Sequence, residues 1–371
     1  MGLSDPVKAA LGNWLANKKS TQLQEAEARK TPAMRQHEYD VARQAILGEF
    51  SSQPFPICQH CIVDAKAARR KERLDLVSRH MVACPTHATQ AARLRGDMDE
   101  VENMRCAKHV YLANDPNAPE DLRDNPPPGF KKATPEDLAA MGLQEKMLRP
   151  EGSNFRAAVY VKDPAVWGLD PKPSAVVAFR GSTLAQEDWR NNLAQDANQE
   201  SRYYRNAVLI GNLLAKTQAD VHIVGHSLGG GLASAAQGGS GLTASTYNAA
   251  GLHPATVARY SGDPEHMAAE PDKITAVRVY GEVLTKTQEN VFGSRGLSVL
   301  ANDAVGTKRD IEPSHHEAYF NALKAEGKAD DRDAYDTYLH GMDEVIDSTE
   351  KQKRADEAIL KGCTGIRGNS R

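Results

Sequence analysis

Val221-His222-Ile223-Val224-Gly225-His226-Ser227-Leu228-Gly229-Gly230-Gly231 is a short apolar run that ends in Gly-x-Ser-x-Gly. Small residues follow at once, Leu232, Ala233, Ser234, Ala235 and Ala236, in a pattern that suits a closely packed helix. The order predicts a strand, a sharp turn at Ser227 and a helix, the context that a serine nucleophile needs. On such a turn the hydroxyl stands clear of the sheet edge. Gly225 and Gly229 keep side chains away where strand and helix nearly touch. The backbone N–H of Leu228 then lies at the positive end of the new helix and faces the same centre. The competing reading is a glycine-rich strand–helix turn with a buried serine, and the flanking strand and helix favour the nucleophile.

Outward from this stretch, strand-like and helical runs alternate. Residues 157–161 and the nearly continuous apolar run 175–179 read as strands, the latter as expected when both sheet faces are covered. Arg180-Gly181-Ser182-Thr183 and Asp188-Trp189 follow, and one helix is expected over about 188–217, with Tyr204, Val208, Gly211 and Leu214 at helical spacing. Further strands are expected over 243–248 and 274–280, the second ending at Gly281-Glu282. The alternation argues for an α/β fold with a mainly parallel sheet.

A serine attacks well only when a histidine removes its proton and an acid holds that histidine in the right tautomer. Where a triad is built on a Gly-x-Ser-x-Gly turn between strand and helix, the chain order is serine, acid, histidine. Glu282 closes a strand after the turn and is the candidate acid, with Asp303 in a polar loop as the fallback. His315 and His316 precede an amphipathic helix carrying Tyr319, Phe320 and Leu323, while His340 precedes another carrying Met342, Val345 and Ile346. Each could supply the base. His222 and His226 read as structural, and His253 and His266 have no evident partner.

The blocks Val177-Ala178-Phe179-Arg180-Gly181-Ser182, Asp188-Trp189 and Gly225-His226-Ser227-Leu228-Gly229-Gly230, in this order, resemble the motifs of class-three lipases. The resemblance covers about residues 155–350 and implies an α/β-hydrolase fold that cleaves acylglycerol or phospholipid esters without a catalytic cofactor. It places one oxyanion-hole donor on Ser182, beside the N–H of Leu228. The family usually has Asp where this chain has Glu282. Leu339-His340-Gly341-Met342-Asp343-Glu344-Val345-Ile346 resembles the C-terminal block of a bacterial lipase-effector subgroup, which favours His340 over His315 and His316. With Met104-Arg105-Cys106-Ala107-Lys108-His109-Val110-Tyr111 upstream, the order of blocks resembles antibacterial lipase effectors delivered by type VI secretion. That likeness implies a lipid substrate at membranes, a secretion component and an immunity protein as partners. The alternatives are a housekeeping esterase or thioesterase on the same fold, or a non-catalytic hydrolase serving as a binding module.

The 371 residues carry 46 Lys and Arg against 49 Asp and Glu, a net charge of −3 that argues against a nucleic-acid partner. No apolar run approaches the ~20 residues of a membrane span. Met1-Gly2-Leu3-Ser4-Asp5-Pro6 lacks the features of a signal peptide, so synthesis in the cytoplasm and export by a dedicated system are expected. A helical region is expected over 1–112, with two helices meeting at Lys30-Thr31-Pro32 and a basic helix from Lys66 to Arg79. Cys58, Cys61, His80 and Cys84 have the residue types of a structural zinc site, with ordinary reduced cysteines, or a redox Cys-x-x-Cys with no strand leading into it, as the alternatives. The catalytic domain is placed at 113–362 and a tail at 363–371, so the N-terminal region is expected to be separable from the chemistry. Within the intervening connector, Thr134-Pro135-Glu136-Asp137 reads as a helix start.

Overall fold

The computed structural model describes residues 5–51, 58–83, 85–183, 185–196, 199–289 and 303–362. Seven strands form one sheet: β1 Phe130–Lys132, β2 Ala157–Lys162, β3 Ala175–Phe179, β4 Val221–His226, β5 Ala244–Tyr247, β6 Ile274–Val279 and β7 Thr307–Ile311. They lie in sequence order across the sheet. The pairs β1/β2 and β2/β3 are antiparallel, and every pair from β3 to β7 is parallel. This is the mainly parallel α/β sheet expected from the alternating runs, in the α/β-hydrolase architecture that the resemblance implies.

The helices are α1 Asp5–Arg29, α2 Pro32–Leu47, α3 Gln59–Ala83, α4 Ala88–Leu112, α5 Glu120–Asp124, α6 Pro135–Ala140, α7 Glu145–Leu148 and α8 Pro164–Trp167. After β3 come α9 Gln186–Asp196, α10 Arg202–Lys216, α11 Leu228–Ser240, α12 Ala255–Ser261, α13 Val283–Glu289, α14 Glu317–Ala325, α15 Tyr335–His340 and α16 Met342–Gly362. Among the described residues no helix is long and apolar enough to cross a membrane. The break at Lys30-Thr31-Pro32 is as expected, with the Thr31 side chain capping α2 and Pro32 at its first position. Thr134 likewise caps α6 and forms a reciprocal capping box with Asp137.

Three elements depart from the sequence expectation. The helix expected over 188–217 is two helices. Ser201 caps α10, its N–H is taken by the Tyr260 hydroxyl at 2.8 Å, and its Oγ donates to Asn191 Oδ1 at 2.8 Å. Side-chain hydrogen bonds thus displace the helical ladder there. The short edge strands β1 and β7 were not expected, because Phe130-Lys131-Lys132 and Thr307-Lys308-Arg309-Asp310-Ile311 are mostly polar and exposed and lack the apolar signature of inner strands.

Period-two alternation sends side chains to two covered faces. Val177, Phe179 and Ile223 pack with α10 and α11 through Tyr204, Val208, Leu232 and Ala236. Val176, Ala178, Val224, Tyr247 and Val277 pack on the opposite face with Val101, Met104 and Val110 of α4 and Val345 and Ile346 of α16. The boundary expected at residue 112 coincides with the end of α4, yet this helix and the sheet share one core. Charged groups extend the same junction. Arg105 bonds Glu102, the Ala45 carbonyl (3.0 Å) and Glu350 (2.6 Å), Lys353 pairs with Glu350 at 2.7 Å, and Lys66 with Glu102.

Each of Val101, Met104 and Val110 is fully buried, a contribution of about 1.5–3 kcal/mol per side chain. Three such residues alone rival the roughly 5–15 kcal/mol net stability of an ordinary domain. A chain beginning at residue 113 is therefore expected to lose its cooperative thermal transition and to aggregate, as followed by circular dichroism and sedimentation. A cooperative, soluble product would show that the sheet does not depend on α4.

Candidate active site

Strand β4 delivers Ser227 to the start of α11. The residue adopts φ 56° and ψ −126°, a left-handed conformation that a non-glycine residue holds only under constraint. The constraint is visible in its neighbours. Ser227 N–H donates to the Tyr247 carbonyl at 3.1 Å, and its own carbonyl accepts from Gly230 and Ala250, both at 2.9 Å. A Cβ on Gly225 would lie 1.9 Å from the Gly229 carbonyl oxygen, and one on Gly229 would lie 2.2 Å from that of Phe179. Only glycine allows the backbones this close. Leu228 opens α11, so its N–H belongs to the first turn, where donors lack a partner within the helix.

Phe179 pairs with Gly225 across β3 and β4, which brings the Arg180–Thr183 turn alongside the serine turn. Ser182 sits half-buried in it. Asp188, almost fully buried, holds the turn's shape. Its carboxylate accepts from Thr183 N–H at 2.7 Å, Thr183 Oγ1 at 2.8 Å, Asn154 Nδ2 at 2.9 Å and the Tyr203 hydroxyl at 2.7 Å.

Glu282 lies just past β6 and is fully buried. Burial alone would raise its pKa, but hydrogen bonds from His340, the Thr285 N–H and the Leu284 N–H outweigh it and hold the carboxyl below its ordinary value. His340, the last residue of α15, places Nδ1 2.8 Å from Glu282 Oε2. An ionised carboxylate only accepts, so Nδ1 carries a proton, and in the neutral ring the lone pair is then on Nε2. The two residues are 58 positions apart in the chain.

Three side chains not assigned to the site from sequence converge here. The His340 carbonyl accepts from His226 Nε2 at 2.7 Å and from Asn248 Nδ2 at 3.0 Å. Asn248, at the end of β5, has φ 40°. The Tyr111 hydroxyl of α4 lies 3.1 Å from His226 Nδ1. Burial, reinforced by the nearby His340, pushes the His226 pKa down to about 3, so its ring is neutral. The position of Asn248, directly after a strand and before Ala249-Ala250-Gly251, was the one usable sequence signal; the Met104–Tyr111 block gave Tyr111 no role at the site.

The other candidates lie elsewhere. His315 Nδ1 is 2.7 Å from Glu344 Oε2, its ring stacks on Tyr319, and its carbonyl accepts from the Tyr335 hydroxyl at 2.6 Å. His316 is exposed at the start of α14, and Asp303 is exposed. Cys58 and Cys61 are bonded to each other, so neither sulfur is a thiolate ligand. His80 Nδ1 is 2.8 Å from the Leu76 carbonyl oxygen, and Cys84 and the 363–371 tail lie outside the described residues. Among the described residues no group of three or more His, Cys, Asp and Glu is placed to hold a metal.

The Glu344 hydrogen bond raises the His315 pKa above its ordinary value against the opposing effect of burial. A histidine with a raised folded pKa stabilises the fold fully below its unfolded value of about 6.5 and loses that contribution as pH rises through the folded value. His315→Gln should therefore lower Tm more at about pH 6 than at about pH 9. An equal loss at both would mean that the ion pair contributes nothing.

Residues 102–322, more than half of the chain, match the Tle-like phospholipase domain of a phospholipase-like family. The chain is also similar to an extracellular phospholipase A1 of Serratia liquefaciens, with 30% identity over 291 residues that cover 75% of this chain and 80% of that protein. With the α/β-hydrolase sheet and the serine turn already in place, the chain belongs to the Tle-like phospholipase family and is a hydrolase of lipid carboxylic esters.

Proposed function

We propose that this chain cleaves phospholipid acyl esters through Ser227, His340 and Glu282, and that it does so as an antibacterial effector. The observation that carries the catalytic reading is the Glu282–His340 hydrogen bond of 2.8 Å, next to a serine held at φ 56° on a strand–helix turn. His340 Nε2 accepts the Ser227 hydroxyl proton as Oγ bonds to the ester carbonyl carbon. The negative charge moves to the carbonyl oxygen, facing the N–H groups of Ser182 and Leu228. Collapse of the tetrahedral species breaks the ester C–O bond, and the departing lysophospholipid alkoxide takes the proton from His340. Water then attacks the acyl-enzyme, His340 takes its proton, and Oγ leaves with that proton as the fatty acid departs. Each oxyanion donor is worth about 2.7–4 kcal/mol in such a site.

The relative's activity, a phospholipase A1, supports the sn-1 ester as the point of attack. An enzyme of this kind endangers the membrane of its own producer. Delivery into another cell, with an immunity protein retained at home, fits that hazard and the likeness of the Met104–Tyr111 and Leu339–Asp343 blocks to secreted lipase effectors.

Ser227→Ala and His340→Ala should each leave only the ~10³-fold residual over water that an oxyanion hole provides. His315→Ala and His316→Ala should stay active. Glu282→Gln should cost roughly 10³–10⁴-fold in kcat, because the amide no longer fixes the Nδ1–H tautomer. Fatty-acid release from sn-1- and sn-2-labelled phosphatidylethanolamine vesicles reads all of these. An active His340→Ala beside a dead His315→Ala would reassign the base. For the effector reading, the chain should arrest a susceptible bacterium when expressed with a periplasmic leader, and Ser227→Ala should not. Normal growth in both compartments, with purified protein still lipolytic, would remove the toxin role.

A further inference from the structure

His340 ends α15, and the next residue, Gly341, is extended before α16 begins at Met342. The His340 carbonyl is therefore one of the last in its helix and has no partner within it. Two side chains supply that partner. His226 Nε2 lies 2.7 Å away and Asn248 Nδ2 3.0 Å away, and Asn248 also reaches the Leu339 carbonyl at 3.1 Å. Asn248 is itself fixed, since its Oδ1 accepts from Val279 N–H at 2.9 Å. The main chain that carries the base is thus tied to the ends of β4, β5 and β6.

The protonation of His226 follows from its partners. A carbonyl oxygen can only accept, so Nε2 must carry the hydrogen. Nδ1 is then bare and accepts from the Tyr111 hydroxyl at 3.1 Å. Tyr111 is half-buried, and a Cβ on Gly181 would fall 2.0 Å from its oxygen, so the same hydroxyl also packs against the turn that holds Ser182. His226 is joined by a peptide bond to Ser227. One residue therefore touches the nucleophile's backbone on one side and the base's backbone on the other.

We propose that His226 is a positioning residue which, held in its Nε2–H tautomer by Tyr111, fixes the His340 main chain so that the imidazole meets Ser227. Glu282 sets the ring at Nδ1, and the carbonyl anchor sets the backbone from which the ring springs. Two points are needed to aim Nε2, and a misplacement of about 1 Å can cost ~10²-fold in rate. The inference rests on His340 being the base.

The test uses the full chain, a soluble short-chain p-nitrophenyl ester, and kcat and KM measured separately, with Tm for each variant. His226→Gln places an amide donor where Nε2 stands, whereas the amide of His226→Asn stops near the position of Nδ1. Asn is expected to lower kcat by about 10²-fold with KM unchanged, and Gln to recover most of it at a similar Tm. Wild-type kcat in His226→Asn, or equal losses in Asn and Gln, would overturn the proposal. Should the Asn variant not fold, Tyr111→Phe decides: a loss of about tenfold in kcat alone supports the proposal, and an unchanged kcat overturns it. His340→Ala in the same assay separates the two layers. If it is active, the base is misassigned; if it is dead while His226→Asn is normal, only the positioning role falls.

Discussion

Strand β4 and helix α11 meet with their backbones in contact, and nearly everything at the site depends on that contact. Gly225 and Gly229 leave no room for a side chain between the strand, the helix and the Phe179 carbonyl. Ser227 is forced into a left-handed conformation that its hydrogen bonds to β5 and to the Ala250 loop sustain. Because the strand and the helix cannot separate, the hydroxyl, the first N–H of α11 and the neighbouring Arg180–Thr183 turn keep a fixed mutual geometry. Catalysis by pre-arranged dipoles requires this rigidity, since donors that had to reorient during reaction would lose their advantage.

The residues proposed to carry the chemistry were legible in the sequence because each is marked by local pattern. The serine turn has its glycines, the oxyanion turn ends an apolar strand, and Glu282 closes another. What escaped is long-range. Helix α4 buries Asp97, Glu102, Asn103, Arg105 and His109 together with its apolar residues. Its polar groups find partners on α2, α3, α16 and the sheet, so its sequence shows no clean apolar stripe and reads as part of a separate polar region. Neither Asn248, which merely follows a strand, nor Tyr111, the last residue of the Met104–Tyr111 block, is marked for a role at the site; their roles depend on which backbone and side chain lie opposite. A reading from spacing finds groups that act on a substrate more readily than groups that act on those groups.

Electrostatics bind the N-terminal helices to the hydrolase core in a way that hydrophobic pattern does not register. Burial pushes the Lys66 pKa down to about 8 even with Glu102 beside it, and Glu350 is held well below its ordinary value by Lys353 and Arg105 despite burial. Pairs of this kind contribute little net stability when complete, yet removing one member leaves an unpaired buried charge that costs about 3–5 kcal/mol. These pairs link α3 to α4 and α4 to α16, the same α4 whose Tyr111 hydroxyl lies 3.1 Å from His226 Nδ1.

The outer strand β7 has a different consequence. A parallel sheet that ended on an apolar strand would present unpaired N–H and C=O groups to any other chain able to extend, and would be prone to fibre-like stacking. Lys308, Arg309 and Asp310 occupy that rim, with Ile311 the buried residue of the strand. A second copy approaching the rim would have to strip water from these charges before its backbone could bond. Among the described residues the sheet therefore ends on a charged strand, a rim that does not invite another backbone to extend it.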